Sequence, residues 1–169
     1  GEKVEHTTLG ELPENLTALA PLAEPCKWNG TEWVKDEEKI ADNFTTTQTH
    51  LIANIDEHAA KIYSTWTRFE SEYRERQAAA EAFKAANYEG ECSRYITDFA
   101  QRAGLDNKTA TNLILIQAAG LEKLQVELAN QRMRKYELKA PNLTLEQLQS
   151  THDDIIKQMD NLMEAYQNG

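Results

Sequence analysis

Apolar side chains recur along most of this chain at alternating steps of three and four residues, and that spacing predicts helices packed along narrow seams. The clearest run is Ile52, Ile55, Ala59, Ile62, Trp66, Phe69 and Tyr73, resuming in phase at Ala80 and Phe83 after one polar position, Arg76. A repeat of about 3.5 residues, held for about four heptads, winds a helix into a supercoil. Glu70–Arg74 and Glu72–Arg76 add pairs on its outer faces, each worth a few tenths of a kcal/mol.

After Asn87-Tyr-Glu-Gly90 the pattern restarts at Cys92, Ile96, Phe99 and Ala103 in a shifted phase. A seam that rotates in this way predicts a helix leaving one bundle and entering another, continuous through residues 80–100. Gly104-Leu-Asp-Asn107 supplies a helix stop followed by a new N-cap. The next helix, over 108–139, carries Ile114, Leu121, Leu124 and Leu128 on its seam, with Leu113, Ile116 and Val126 flanking it. Ala140-Pro141-Asn142 ends that helix, because the residue before proline is steered away from helical geometry. Thr144-Leu-Glu-Gln147 reads as a capping box. It opens a last helix with Leu145, Leu148, His152, Ile155, Met159, Leu162 and Tyr166 on one seam.

Residues 1–45 lack this order. Prolines stand at 13, 21 and 25, a short helix through Leu9, Leu12, Leu16 and Leu19 is expected, and Trp28-Asn-Gly-Thr-Glu-Trp33 reads as a turn with Asn29-Gly30 at its tip. Lys35–Phe44 is a further short helical stretch. The organisation that follows is an irregular segment, 1–45, packing on a first bundle; a long helix, 46–88; and a second helical unit, 89–169. The fold class is all-α, built of elongated antiparallel bundles joined by a long continuous connecting helix.

Composition agrees with that class. Apolar residues make up 40% of the chain and charged ones 27%, with mean hydropathy −0.68, which suits thin bundles with much solvated surface. The net charge of −10 excludes nucleic acid and anionic membrane as main partners, since both demand a basic face. Charge is uneven: residues 1–44 carry 4 Lys/Arg against 10 Asp/Glu, whereas residues 91–140 carry 8 against 6. The one basic cluster is Arg132, Arg134, Lys135 and Lys139. It reads as cations suited to the negative pole of a helix end, or as a docking patch for an acidic partner such as another copy of the chain.

No hydrophobic run approaches the roughly 18 residues that span a bilayer. No signal peptide is visible, and Gly1 in place of methionine leaves the native N-terminus expected upstream. Cys26 and Cys92 lie far apart with no metal-ligand spacing; Cys92 falls at an apolar helix position and a pairing between the two stays open.

Catalytic chemistry finds no foothold. There is no nucleophile–base pairing, phosphate-cradling loop or calcium loop, and His6, His50, His58 and His152 are scattered without metal-site spacing. No catalytic, cofactor-binding or metal-binding residue is assigned, and the chain is read as a non-enzyme. His152 on a seam reads as a hydrogen-bonded core residue. Tyr63, Trp66, Phe69 and Tyr73 read as core. Trp28 and Trp33, if not folded onto the helices, become partner anchors, since tryptophan is enriched at interface hot spots. Asn-x-Thr triplets at Asn15, Asn29, Asn43, Asn107 and Asn142 are either glycosylation acceptors or helix caps.

Asn142-Leu-Thr-Leu-Glu-Gln-Leu-Gln-Ser-Thr-His152-Asp-Asp-Ile-Ile resembles the start of the third helix of a spectrin repeat, closest to the last rod repeat of the α-actinin family. The likeness covers roughly residues 90–169, and His152 stands where that family usually has tryptophan. The resemblance implies spectrin-like three-helix bundles in a rod that spaces and dimerises an actin cross-linking cytoskeletal protein. It also implies an antiparallel homodimer, a cytoplasmic location, and actin- and calcium-binding domains elsewhere in the parent chain, while the lack of a long hydrophobic run predicts no membrane insertion. The alternative expectation is a secreted or cell-surface helical bundle that binds a protein ligand.

Overall fold

The structure, a computed structural model, describes residues 22–168. The leucine series expected as a helix at Leu9–Leu19, together with His6 and Asn15, lies outside the described residues. Among those described, the chain is all-α apart from one small hairpin: β1 (Cys26–Trp28), β2 (Trp33–Lys35), α1 (Glu37–Thr67), α2 (Glu70–Ala85), α3 (Arg94–Ala103), α4 (Asn107–Met133), a 3-10 helix (Arg134–Lys139) and α5 (Leu145–Asn168). The chain divides into two compact units, Gly1–His50 and Leu51–Gly169.

The first unit holds the hairpin and the start of α1. β1 and β2 pair antiparallel with Cys26 opposite Lys35, Lys27 opposite Val34 and Trp28 opposite Trp33. Gly30 takes φ +103°, which suits glycine because it has no Cβ, and Asn29 Oδ1 accepts from the N–H groups of Thr31 and Glu32 at 2.9 Å each. Asp36 Oδ1 then accepts from Lys39 N at 3.2 Å, capping α1.

In the second unit α1 buries Leu51, Ile55, Ala59, Ile62 and Trp66. Leu51 replaces the expected Ile52 because the buried positions advance by four, four, three and four residues, a longer period than a strict 3.5 repeat. The expected continuation to Tyr73 fails. The helix breaks at Arg68-Phe69, leaving Phe69 51% and Tyr73 37% exposed and packed edge-on against each other. Just before the break, Ser64 Oγ donates to Lys61 O at 2.7 Å and Thr65 Oγ1 to Ile62 O at 2.8 Å. Such hydroxyls compete for helix carbonyls, and three of the four residues 64–67 carry them.

The continuous helix expected through residues 80–100 is also absent. α2 stops at Ala85, and Tyr88 N donates to Phe83 O at 2.9 Å, with the two rings edge-on at 5.9 Å. That is the hydrogen bond and apolar contact of a Schellman stop. Asn87, Tyr88 and Gly90 all take positive φ, so the chain turns instead of running on. α3 ends in the same manner: Gly104 sits at φ +69° and Leu105 N donates to Ala100 O. The shifted apolar phase at Cys92 therefore marks a new helix, not a rotating seam.

Around these turns Ala80, Phe83, Ile96, Ala100, Ala110 and Ile114 form one core, with Tyr88, Cys92, Phe99, Leu105 and Leu115 partly buried against it. Leu124 and Leu128 on α4, Leu138 in the 3-10 helix, and Leu148, His152, Ile155 and Met159 on α5 are buried as well. The outer side of α4 is apolar too, and there Ile116 is 67%, Val126 62% and Met133 45% exposed.

α5 begins with the expected capping box: Thr144 Oγ1 accepts from Gln147 N at 3.1 Å, and Gln147 Oε1 accepts from Thr144 N at 2.9 Å. Thr144→Ala removes one side of it and is expected to cost about 1 kcal/mol, read as a lower urea midpoint at unchanged slope. An unchanged midpoint means that the box carries no stability.

Candidate functional site

The six residues singled out by sequence fall in two places. Trp28 and Trp33 face each other across the hairpin, ring centroids 5.6 Å apart at 63°, and both stay half-exposed. The backbone bonds Asn29 N to Glu32 O and Asp36 N to Pro25 O alternate so that the tryptophans occupy a non-hydrogen-bonded pair, where side chains approach most closely. Two strands of three residues bring two large rings to one face, with Cys26 and Lys35 next along it. Lys35 is held by Glu24 at 2.6 Å, which raises its pKa.

The basic cluster is not a free patch. Arg132 Nε donates to Asp56 Oδ1 at 2.7 Å, and Lys135 Nζ lies 2.7 Å from both oxygens of the same carboxylate. Arg134 donates to Glu137, Gln131 and Asp154. Lys139 lies over the Tyr136 ring, 5.4 Å from its centroid. Three of the four cations thus tie α4 and the 3-10 helix to α1 and α5. The hydrogen bond from Arg132, reinforced by Lys135, holds the Asp56 carboxyl below its ordinary range. A depression of about 390 Å³ runs beside Asp56, Tyr63 and Arg132, and its charged groups already satisfy one another.

Sequence reasoning missed Asp56, the centre of this network, because its partners stand 76 and 79 residues away. It also missed two histidine bridges between α1 and α5. His58 Nε2 lies 2.7 Å from Asp160 Oδ1, and His152 Nε2 lies 2.7 Å from Asn54 Oδ1 with its Nδ1 2.8 Å from Asp153 Oδ1. His152 is buried and hydrogen-bonded, as its seam position suggested. Cys26 and Cys92 are free thiols, and burial pushes the Cys92 thiol up.

The Asn-x-Thr triplets have local structural uses: Asn29 closes the hairpin loop, Thr109 is bonded to the N-cap Asp106, and Asn142 takes φ +61° ahead of Thr144. Among the described residues no group of three His, Cys, Asp or Glu side chains is placed to hold a metal ion, and no helix is long and apolar enough to cross a membrane.

An uncharacterised 23.3 kDa protein from the lys 3′ region of Haemophilus phage HP1 is 54% identical over 140 residues, covering 83% of this chain and 70% of that protein. The tail fiber assembly protein of Escherichia phage lambda is 55% identical over 38 residues, which are 22% of this chain and 20% of that protein. The prophage tail fiber assembly protein homolog TfaR of Escherichia coli is 67% identical over 30 residues, 18% of this chain and 16% of that protein. The match thus spans under a fifth to a fifth of the length of these assembly proteins. No family model and no solved structure matches the chain.

These relatives overturn the spectrin-like and α-actinin resemblance. The actin cross-linking rod and the cytoskeletal location fall with it, and the secreted or cell-surface alternative finds no support in them either. The physical reason is that alternating steps of three and four are imposed by helix–helix packing itself, so unrelated bundles arrive at the same seam.

Asp56→Asn is expected to lower stability at neutral pH by about 1 kcal/mol, a figure kept small because the carboxylate and Arg132 are both well solvated. A carboxylate whose pKa is depressed by folding stabilises above its unfolded pKa and loses that contribution as pH falls through the folded value. The gap between wild type and variant, measured by urea denaturation, therefore closes below about pH 4. A gap that persists at acid pH means that the ion pairs are not its source.

Proposed function

This chain belongs to the family of the 23.3 kDa phage HP1 protein, and on that footing we propose that it is a binding module assisting the assembly of a phage tail fibre. The observation that carries the reading is the stretch it shares with proteins named for tail fiber assembly. The module works without catalysis, and its partners are proteins. Holding a fibre polypeptide during assembly calls for rigid apolar anchors. The Trp28–Trp33 pair fits that demand: two large rings, fixed against each other by the hairpin, lose little side-chain freedom when a partner covers them. The Arg132–Lys139 stretch takes no part in docking in this reading, because Asp56, Glu137 and Asp154 already hold three of its cations. Homodimerisation is part of the proposal, resting on another surface.

The test is co-expression with a tail fibre protein of the same phage. Soluble fibre protein is expected to rise and to be retained on the tagged chain. Trp28→Ala/Trp33→Ala is expected to cut retention at least tenfold, about 1.4 kcal/mol, with the helical circular dichroism unchanged. Fibre protein equally soluble and unbound in the presence of the chain sinks the proposal. Undiminished retention by the double variant removes the hairpin from it.

A further inference from the structure

Helix α4 is apolar on both sides, and only one side is buried. Ile114, Leu124 and Leu128 face inward. Outward lie Ile116, Ala119, Val126 and Met133, all exposed. With Lys123 and Asn130 between them, the outward positions run 116, 119, 123, 126, 130, 133, the same alternation of three and four that marks a helix-packing seam. Tyr136, 57% exposed, follows just past the helix. These residues are arranged symmetrically about Val126. Ala119 and Met133 each stand seven residues away and Ile116 and Tyr136 ten, while the polar Lys123 and Asn130, three and four away, depart from the symmetry by one residue.

We propose that this stripe is a self-association surface on which α4 of two copies pack antiparallel about a two-fold axis at Val126. An isologous interface must be self-complementary, each residue meeting its symmetric counterpart. Here Val126 meets the partner's Val126. The small Ala119 faces the partner's long Met133, and Ile116 faces the partner's Tyr136. Polar meets polar as well. Lys123 is level with the partner's Ala129, about one residue's rise from the partner's Asn130, whose carbonyl accepts from the ammonium, and about two residues' rise from the partner's Glu127.

Among the described residues no ion pair engages Lys123 or Glu127, which leaves both able to make two reciprocal pairs with a second copy. A parallel arrangement instead sets Lys123 against Lys123 on a desolvated seam, where like charges repel. The charge pattern therefore selects a second, antiparallel copy as the occupant. The stripe is roughly 30 Å long, and a helix pair of that length buries on the order of 1,000 Å², the low end for a specific interface. A micromolar, reversible dimer is expected, not an obligate one.

Sedimentation equilibrium of the full chain between roughly 5 and 200 µM reads this directly, and a monomer–dimer equilibrium is expected inside that window. Val126→Glu is expected to weaken it at least tenfold at unchanged melting temperature. Lys123→Glu is expected to do the same without touching an apolar residue, and Lys123→Glu/Glu127→Lys to restore dimerisation. For orientation, in a chain with Cys26→Ser and Cys92→Ser, V126C cross-links to itself under mild oxidation, and M133C cross-links with A119C but not with itself. A monomer at the highest concentration, a dimer indifferent to V126E and K123E, or self-cross-linking of M133C ahead of V126C overturns the assignment.

Discussion

The inner stripe of α4 is the constraint on which the second unit depends. Ile114 at one end closes the core of Phe83, Ile96 and Ala100, while Leu124 and Leu128 are buried farther along the same helix. Each fully buried aliphatic side chain contributes roughly 1.5–3 kcal/mol relative to exposure. The small residues Ala100 and Ala110 let α3 and α4 approach closely at the first core. Farther along, α1 is linked to α4 and the 3-10 helix by polar contacts: Asp56 takes Arg132 and Lys135 together, and Tyr63 donates to the Gln125 carbonyl. The helix keeps a buried apolar side along its length, and toward its C-terminal end partly solvated ion pairs add to that packing.

Local features were legible in the sequence because their physics is local. The Thr144–Gln147 capping box, the Gly104 stop with its following cap, and the Asn29-Gly30 turn each involve residues within a few positions of one another. His152 was legible as well, because its seam position fixed its burial before its partner Asn54 was known. Asp56 was not. Nothing about an aspartate on a helix says that cations 76 and 79 residues later will converge on it.

The two failures of helix continuity have a common origin. Periodicity reports which residues suit a buried face, and it says nothing about whether the backbone stays helical between them. Phe69 and Tyr73 satisfied the spacing, yet the hydroxyls of Ser64 and Thr65 draw on the carbonyls of the preceding turn and the chain breaks at Arg68-Phe69. At Asn87 and Tyr88 the apolar contact of Tyr88 with Phe83 stabilises a stop that a seam-based reading counts as a change of phase. The family was misread for the same reason. A seam is a property of helix packing, and 3-4 spacing belongs to every bundle that packs helices side by side.

The surface carries its own division of labour. The net charge of −10 keeps copies apart unless a complementary patch overcomes the repulsion. Within the second unit Arg132, Arg134 and Lys135 are neutralised internally, which removes the most basic stretch from the outside and leaves the outer stripe of α4 framed by Glu122, Lys123 and Glu127. An apolar stripe so framed is selective: it penalises partners that bring like charge to Lys123 or bury Glu127 unpaired. In the first unit the tryptophan pair has Lys35 beside it, and Lys35 is already engaged by Glu24. Apolar surface flanked by satisfied charge is what a binding module needs if it is to release its partner, since affinity then comes from area that water can reclaim rather than from buried ions that must be resolvated.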